Sequence, residues 1–182
     1  NHQANGGVLR LAASNLLAST VPVYIANAAG PAMLELSSSV NQSTGAFNFG
    51  GTGITSTSQG NVLIGSGATL TIGGTLTYTV SGSAAMVNQL PAFITGAGGF
   101  SLGGATRTFA INDSFAVPTN QAELSISVPI AATGAFGITK TGFGNLLFSA
   151  ANTFTGTTTL TAGGLLPIAV VVAAWAAVRR GQ

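Results

Sequence analysis

Residues 134–164 read GAFGITKTGFGNLLFSAANTFTGTTTLTAGG. Ile138, Leu146, Phe148, Phe154 and Leu160 are apolar points separated by Thr, Ser and Gly, with Gly or Asn at each break. The pattern is short strand, tight turn, short strand. Period-two strands broken this often predict rungs of a coil rather than long hairpins.

The composition agrees with a coil. At 182 residues one domain is the default, long enough to bury a substantial core. Charged residues make up 4% of the chain, against about 25% in ordinary soluble proteins. The surface must therefore be built from Thr, Ser, Asn, Gln and Gly. That balance fits a secreted β-solenoid and argues against a cytosolic enzyme. The net charge of +2 comes from Arg10, Arg107, Lys140, Arg179 and Arg180, of which only the last two are adjacent. No basic run interleaves with aromatics, so nucleic acid is not an expected partner. With no cysteine, disulfides, thiolate metal sites and Cys nucleophiles are excluded.

Outward from the opening stretch, other segments repeat its logic. Leu9 and Leu11 share one face of a short strand, and Val21, Val23 and Ile25 alternate with Pro22 and Tyr24. Pro22 lacks an N–H and must sit at a strand start or where no ladder bond is needed. Leu34 and Leu36 flank Glu35, and residues 45–60 read as turn-dense. The clearest alternation sets Ala68, Leu70 and Ile72 against Thr69 and Thr71, then Leu76, Tyr78 and Val80 against Thr75, Thr77 and Thr79. One face buries aliphatics and the other presents hydroxyls. Leu124, Ile126 and Val128 alternate with Glu123, Ser125 and Ser127. These inward residues, with Leu146 and Phe148, form the expected core. About seven rungs of ~20–25 residues are expected.

The stretch resembles the autotransporter-associated β-strand repeat of bacterial surface proteins. The resemblance rests on Thr139-Lys140-Thr141-Gly142-Phe143-Gly144, Leu146-Leu147-Phe148-Ser149-Ala150 and Asn152-Thr153-Phe154-Thr155-Gly156. Ala150 stands where that family has Gly, and Phe154 where it has Tyr. Residues 98–111, GGFSLGGATRTFAI, also resemble the family, closely from about 98 to 165 and more loosely from 6 to 83. The resemblance implies an all-β, right-handed parallel β-helix at residues 1–165. It also implies a non-catalytic structural or adhesive segment of a cell-surface or secreted, outer-membrane-associated passenger. Neighbouring repeats, a host or matrix surface, or glycans are the partners it suggests. Gly7-Val8-Leu9 recurs in kind as Gly164-Leu165-Leu166, so an internal fragment is expected in preference to a chain whose leader has been removed.

Candidate chemistry is sparse. Lys140-Thr141 after a Gly-rich run invites a phosphate-loop reading, but Thr139 stands where the motif needs Gly. Lys140 is instead expected outside, beside a turn where Gly142 and Gly144 supply positive φ. Asp113 and Glu123 can lie on adjacent rungs, but Asn112 and Ser114 around Asp113 favour a turn role. His2 is alone and is expected to be a solvated terminal residue. Asn145 and Asn152 are either members of an internal amide ladder or plain turn residues. No catalytic, cofactor-binding or metal residue is assigned, and no cofactor is expected. A β-helical carbohydrate-active enzyme would need clustered charge in a groove. A carbohydrate-binding module would need aligned aromatics, for which Tyr24, Tyr78 and Trp175 are the candidates.

Residues 166–182 break the pattern. Pro167 to Val178 contains no Gly, Ser or Thr and leads into Arg179-Arg180. As a helix its twelve residues reach about 18 Å, short of the ~30 Å of a hydrocarbon core. Membrane contact is conceivable only through this tail. A chain end unrelated to the fold is the expectation, ahead of a sorting tail or a helix.

Overall fold

The computed structural model of the chain describes residues 2–4, 6–26, 30–51, 58–80 and 90–167. Every element among them is a β-strand. The first coil holds β1 (His2–Ala4) and β2 (Gly7–Leu11); the second holds β3 (Val23–Ile25), β4 (Pro31–Leu36) and β5 (Asn41–Thr44). Then come β6 (Phe47–Phe49), β7 (Gln59–Ile64) and β8 (Thr69–Ile72), followed by β9 (Leu76–Tyr78), β10 (Ala92–Gly96) and β11 (Gly99–Ser101). The fifth holds β12 (Arg107–Ile111), β13 (Leu124–Ile126) and β14 (Ile130–Ala131). The last strands are β15 (Ile138–Thr141), β16 (Asn145–Phe148), β17 (Thr158–Leu160) and β18 (Gly164–Pro167).

Each strand pairs in parallel with its counterpart one coil away, which makes the chain a β-solenoid. The first sheet runs β1-β3-β6-β9-β12-β15-β17, the second β2-β4-β7-β10-β13-β16-β18, and the third β5-β8-β11-β14. Each of the two longer sheets has seven strands, but complete turns number about four, fewer than the seven rungs expected. Four turns, those starting at β3, β6, β9 and β12, carry a strand in all three sheets. In the first coil a loop replaces the third strand. Buried Gln42 fastens that loop, accepting from Leu17 N at 3.0 Å and donating to Ala13 O.

The coils are less uniform than expected. Register partners lie 21 residues apart at His2–Val23 and 20 at Ile138–Thr158, but 33 apart at Leu76–Phe109. Between β12 and β13 the added residues 112–123 fall at a corner, and β13 still pairs in register with β10 and β16. Residues 52–57 of the segment expected to be turn-dense lie outside the described residues, but its first part is not all turn. It contains β6, whose Phe47 and Phe49 are fully buried and meet edge-to-face at 5.4 Å.

Alternation sets the core. Leu70, Ile72, Leu76, Tyr78, Leu124, Ile126, Val128, Leu146 and Phe148 are buried as expected, and Val80 packs half-buried against them. Phe109 of the first sheet meets Phe100 of the third at 6.4 Å and Phe148 of the second at 6.5 Å, both edge-to-face. Those contacts tie the three sheets through one ring. Pro22 falls just before β3, and its carbonyl accepts from His2 N. Pro167 ends β18 rather than opening a helix, so the last strand crosses the expected boundary at 165. The rest of the tail, Trp175 included, lies outside the described residues.

Candidate functional site

The polar residues the sequence singles out converge where β15 turns into β16. Lys140 follows Ile138 by two positions on β15, and strand parity sends both side chains inward. Lys140 is fully buried, not outside as its sequence neighbourhood suggested. Its Nζ donates to Thr141 O at 2.9 Å, Gly142 O at 2.7 Å and Ala162 O at 3.0 Å. An ammonium has three donors, and all three are used. The first two bonds close the turn that follows the lysine. The third reaches a carbonyl 22 residues on, in the next coil.

Glu123 is the second correction. It was expected to alternate outward with Ser125 and Ser127, yet it is fully buried beside Leu124. Its Oε2 accepts from the amide of Asn145 and its Oε1 from that of Ser114 at 3.4 Å. Burial raises its pKa, opposed by the amides of Asn145, Glu123 itself and Ser114; the charge of Asp113 adds to the rise. Burial lowers the pKa of Lys140, and the negative charge of Glu123 opposes that. Tyr78, also buried, is raised mainly by burial; a Ser114 hydrogen bond opposes this, and Glu123 and Asp113 add to it. Its hydroxyl donates to Leu90 O at 3.2 Å.

The glycines of the turn fit this arrangement. Gly142 has φ +76° and packs against Ile111 O, leaving no room for a Cβ. A Cβ on Gly144 would lie 3.1 Å from the Glu123 carboxyl carbon. The Lys-Thr-Gly-Phe-Gly run is thus a staple: the lysine holds the turn from within, and the glycines let it settle on the carboxylate and the preceding coil.

The other candidates separate. Asp113 is exposed and Glu123 is not, so the two carboxylates share no accessible face. Asn145 donates to Thr119 O at 3.0 Å and Gln121 O at 2.9 Å, while Asn152 Oδ1 accepts from Ile130 N at 3.0 Å. Each amide clamps the backbone of the previous coil, so the two form no ladder with one another. His2 lies in β1, half-buried, with Nε2 shielded and unpartnered, rather than being a solvated end. The remaining internal cations are also engaged. Arg107 donates to Leu102 O at 2.8 Å and Gly73 O at 2.6 Å, and Arg10 Nε lies 3.0 Å from Glu35 Oε1 across the β2–β4 register.

Of the aromatics proposed to align, Tyr78 is inside and Tyr24 half-buried. The most exposed rings among the described residues are ones that sequence reasoning passed over, Phe115 at 86% and Phe143 at 81%. Both sit at corners, where strand parity gives no signal. Among the described residues, no group of three or more Asp, Glu or His side chains is placed to hold a metal. No protein-family model, curated protein or solved structure matches the chain.

Proposed function

We propose that this chain is a structural segment of a cell-surface or secreted autotransporter-like passenger, a stacked-coil rod without catalytic activity. The observation that carries this reading is the Lys140 staple. The most motif-like run in the sequence spends its one cation on three backbone carbonyls, one of them in the next coil. A residue so used serves stacking, and a motif built for stacking belongs to a repeat whose task is extension. The outer faces of the first and third sheets, with Asn48, Thr77, Ser43 and Thr71, are uncharged and hydroxyl- and amide-rich, as suits a rod in contact with water or glycans.

Antibodies raised against the folded segment test the location. Labelling of intact source cells is expected; labelling only after lysis contradicts the proposal. Incubation with a panel of polysaccharides is expected to release no new reducing ends.

A second reading, a carbohydrate-binding surface, is favoured by Phe115 and Phe143. Exposed rings offer flat apolar faces to sugars. Retention on a glycan array that is lost in the Phe115→Ser, Phe143→Ser double variant would select this reading.

A further inference from the structure

The outer face of the second sheet differs from the other two. Along one register line its outward residues are Val8 and Met33, then Asn61, Phe93 and Ser125, then Leu147 and Leu166. Val8 is 60% exposed and Phe93 37%; the others are half-buried by their neighbours in the row. This line is mostly apolar, whereas the outer faces of the first and third sheets are not. Beside it, Leu63 is also exposed, and the hydroxyls of Thr95 and Ser127 are turned into the sheet, donating to Val62 O and Ile94 O at 3.3 Å.

The order of the line is symmetric about Phe93. One step either side are the polar residues Asn61 and Ser125. Two steps out are Met33 and Leu147, and three steps out Val8 and Leu166. A two-fold interface requires a surface to complement itself. A two-fold axis along β10 lays Phe93 on Phe93 of a second copy, Met33 on Leu147 and Val8 on Leu166. It also sets Asn61 opposite Ser125. Charge does not oppose the pairing. Glu35, on the neighbouring line, is neutralised by Arg10 of its own chain and would face Ser149.

We propose that this face is a self-association surface, and that two copies pair across it with their coil axes antiparallel. Seven strands about 4.8 Å apart and about five residues wide offer roughly 500 Å² per copy. The total of about 1,000 Å² sits at the threshold for a specific interface. A concentration-dependent dimer is therefore the expected species.

Sedimentation velocity on the full chain over a concentration series tests the proposal, with circular dichroism as a check that each variant keeps its β signal. Phe93→Lys puts like charges on the axis and should leave a monomer; Phe93→Thr, a residue suited to a strand, should weaken the dimer in the same direction. Met33→Glu alone and Leu147→Lys alone should each weaken it by about tenfold. The two together should restore it, because the axis brings each glutamate to a lysine of the other copy. A monomer at every concentration overturns the proposal. So does a dimer indifferent to Phe93→Lys, as association through the coil ends would be, or a double variant no tighter than the singles.

Discussion

Lys140 Nζ lies 3.0 Å from the carbonyl oxygen of Ala162, so one side chain fastens its own coil to the next. Replacing it with methionine keeps much of the length but leaves three carbonyls without that donor. Losing a buried partner costs about 1–3 kcal/mol per unsatisfied group. Lys140→Met is therefore expected to lower the urea midpoint clearly, while Thr139→Val, on the outer face of the same strand, should move it little. Equal midpoints for the two would mean that Lys140 does not act as a staple.

The glycines of the same turn should be as demanding. Gly142→Ala forces a left-handed φ and a Cβ against Ile111 O; Gly144→Ala crowds Asn112 O and the Glu123 carboxyl. Each is expected to cost more than the ~1 kcal/mol at stake at an unstrained glycine. Gly104→Ala, where a Cβ would meet nothing within 4 Å, is the control. Thermal melting of the three variants should place Gly104→Ala nearest the parent.

Faces can be tested by one charge moved between them. Phe148→Asp puts a lone carboxylate in the core beside Phe109 and should cost several kcal/mol. Thr71→Asp, outward on β8, should cost little. A denaturation series in which both cost the same would contradict the assigned faces.

Glu123 gives the fold an unusual response to acid. Its pKa in the folded chain is raised, so the folded state holds this proton more tightly than the unfolded state does. Its stabilising contribution is full below the ordinary glutamate value of about 4.3. That contribution is lost as pH rises through the raised folded value. Unfolding midpoints are expected to rise, not fall, as pH is lowered from neutral toward that window. Glu123→Gln should flatten this dependence. A parent whose stability falls steadily over the same range would contradict the assignment.

Much of this architecture is legible in the sequence because a strand's side-chain period is two. The runs Ala68–Ile72 and Leu76–Val80 state their buried faces outright, and the structure buries the residues they name, Val80 only in part. The same parity, applied to Ile138 and Lys140, would have put the lysine inside. What hid it was the habit of reading a cation as exposed, and the carbonyls that satisfy it belong partly to another coil. For Glu123 parity points the wrong way: it and Leu124 are both buried, because Glu123 lies at the corner just before β13. Its partners, Ser114 and Asn145, are distant in sequence and become visible only through stacking. The long connection between β12 and β13 lengthens its coil without disturbing the strands, so a uniform period could not be read. The symmetry about Phe93 likewise exists only once the register is known.

The central claim is that successive coils stack in one direction with fixed register. Tyr24, Asn48, Thr77, Ala110 and Thr141 are successive partners on the outer side of the first sheet. The chain has no cysteine, so two can be introduced alone for spin labels. Pulsed electron–electron distance measurements, on labelled protein diluted with unlabelled protein, should separate the Tyr24 and Thr141 sites by about 19 Å of backbone, and the Tyr24 and Ala110 sites by about 14 Å. A separation that grows by one strand spacing per coil is the predicted result. Distances that fail to grow with coil number, as in a sandwich or a closed barrel, would contradict it.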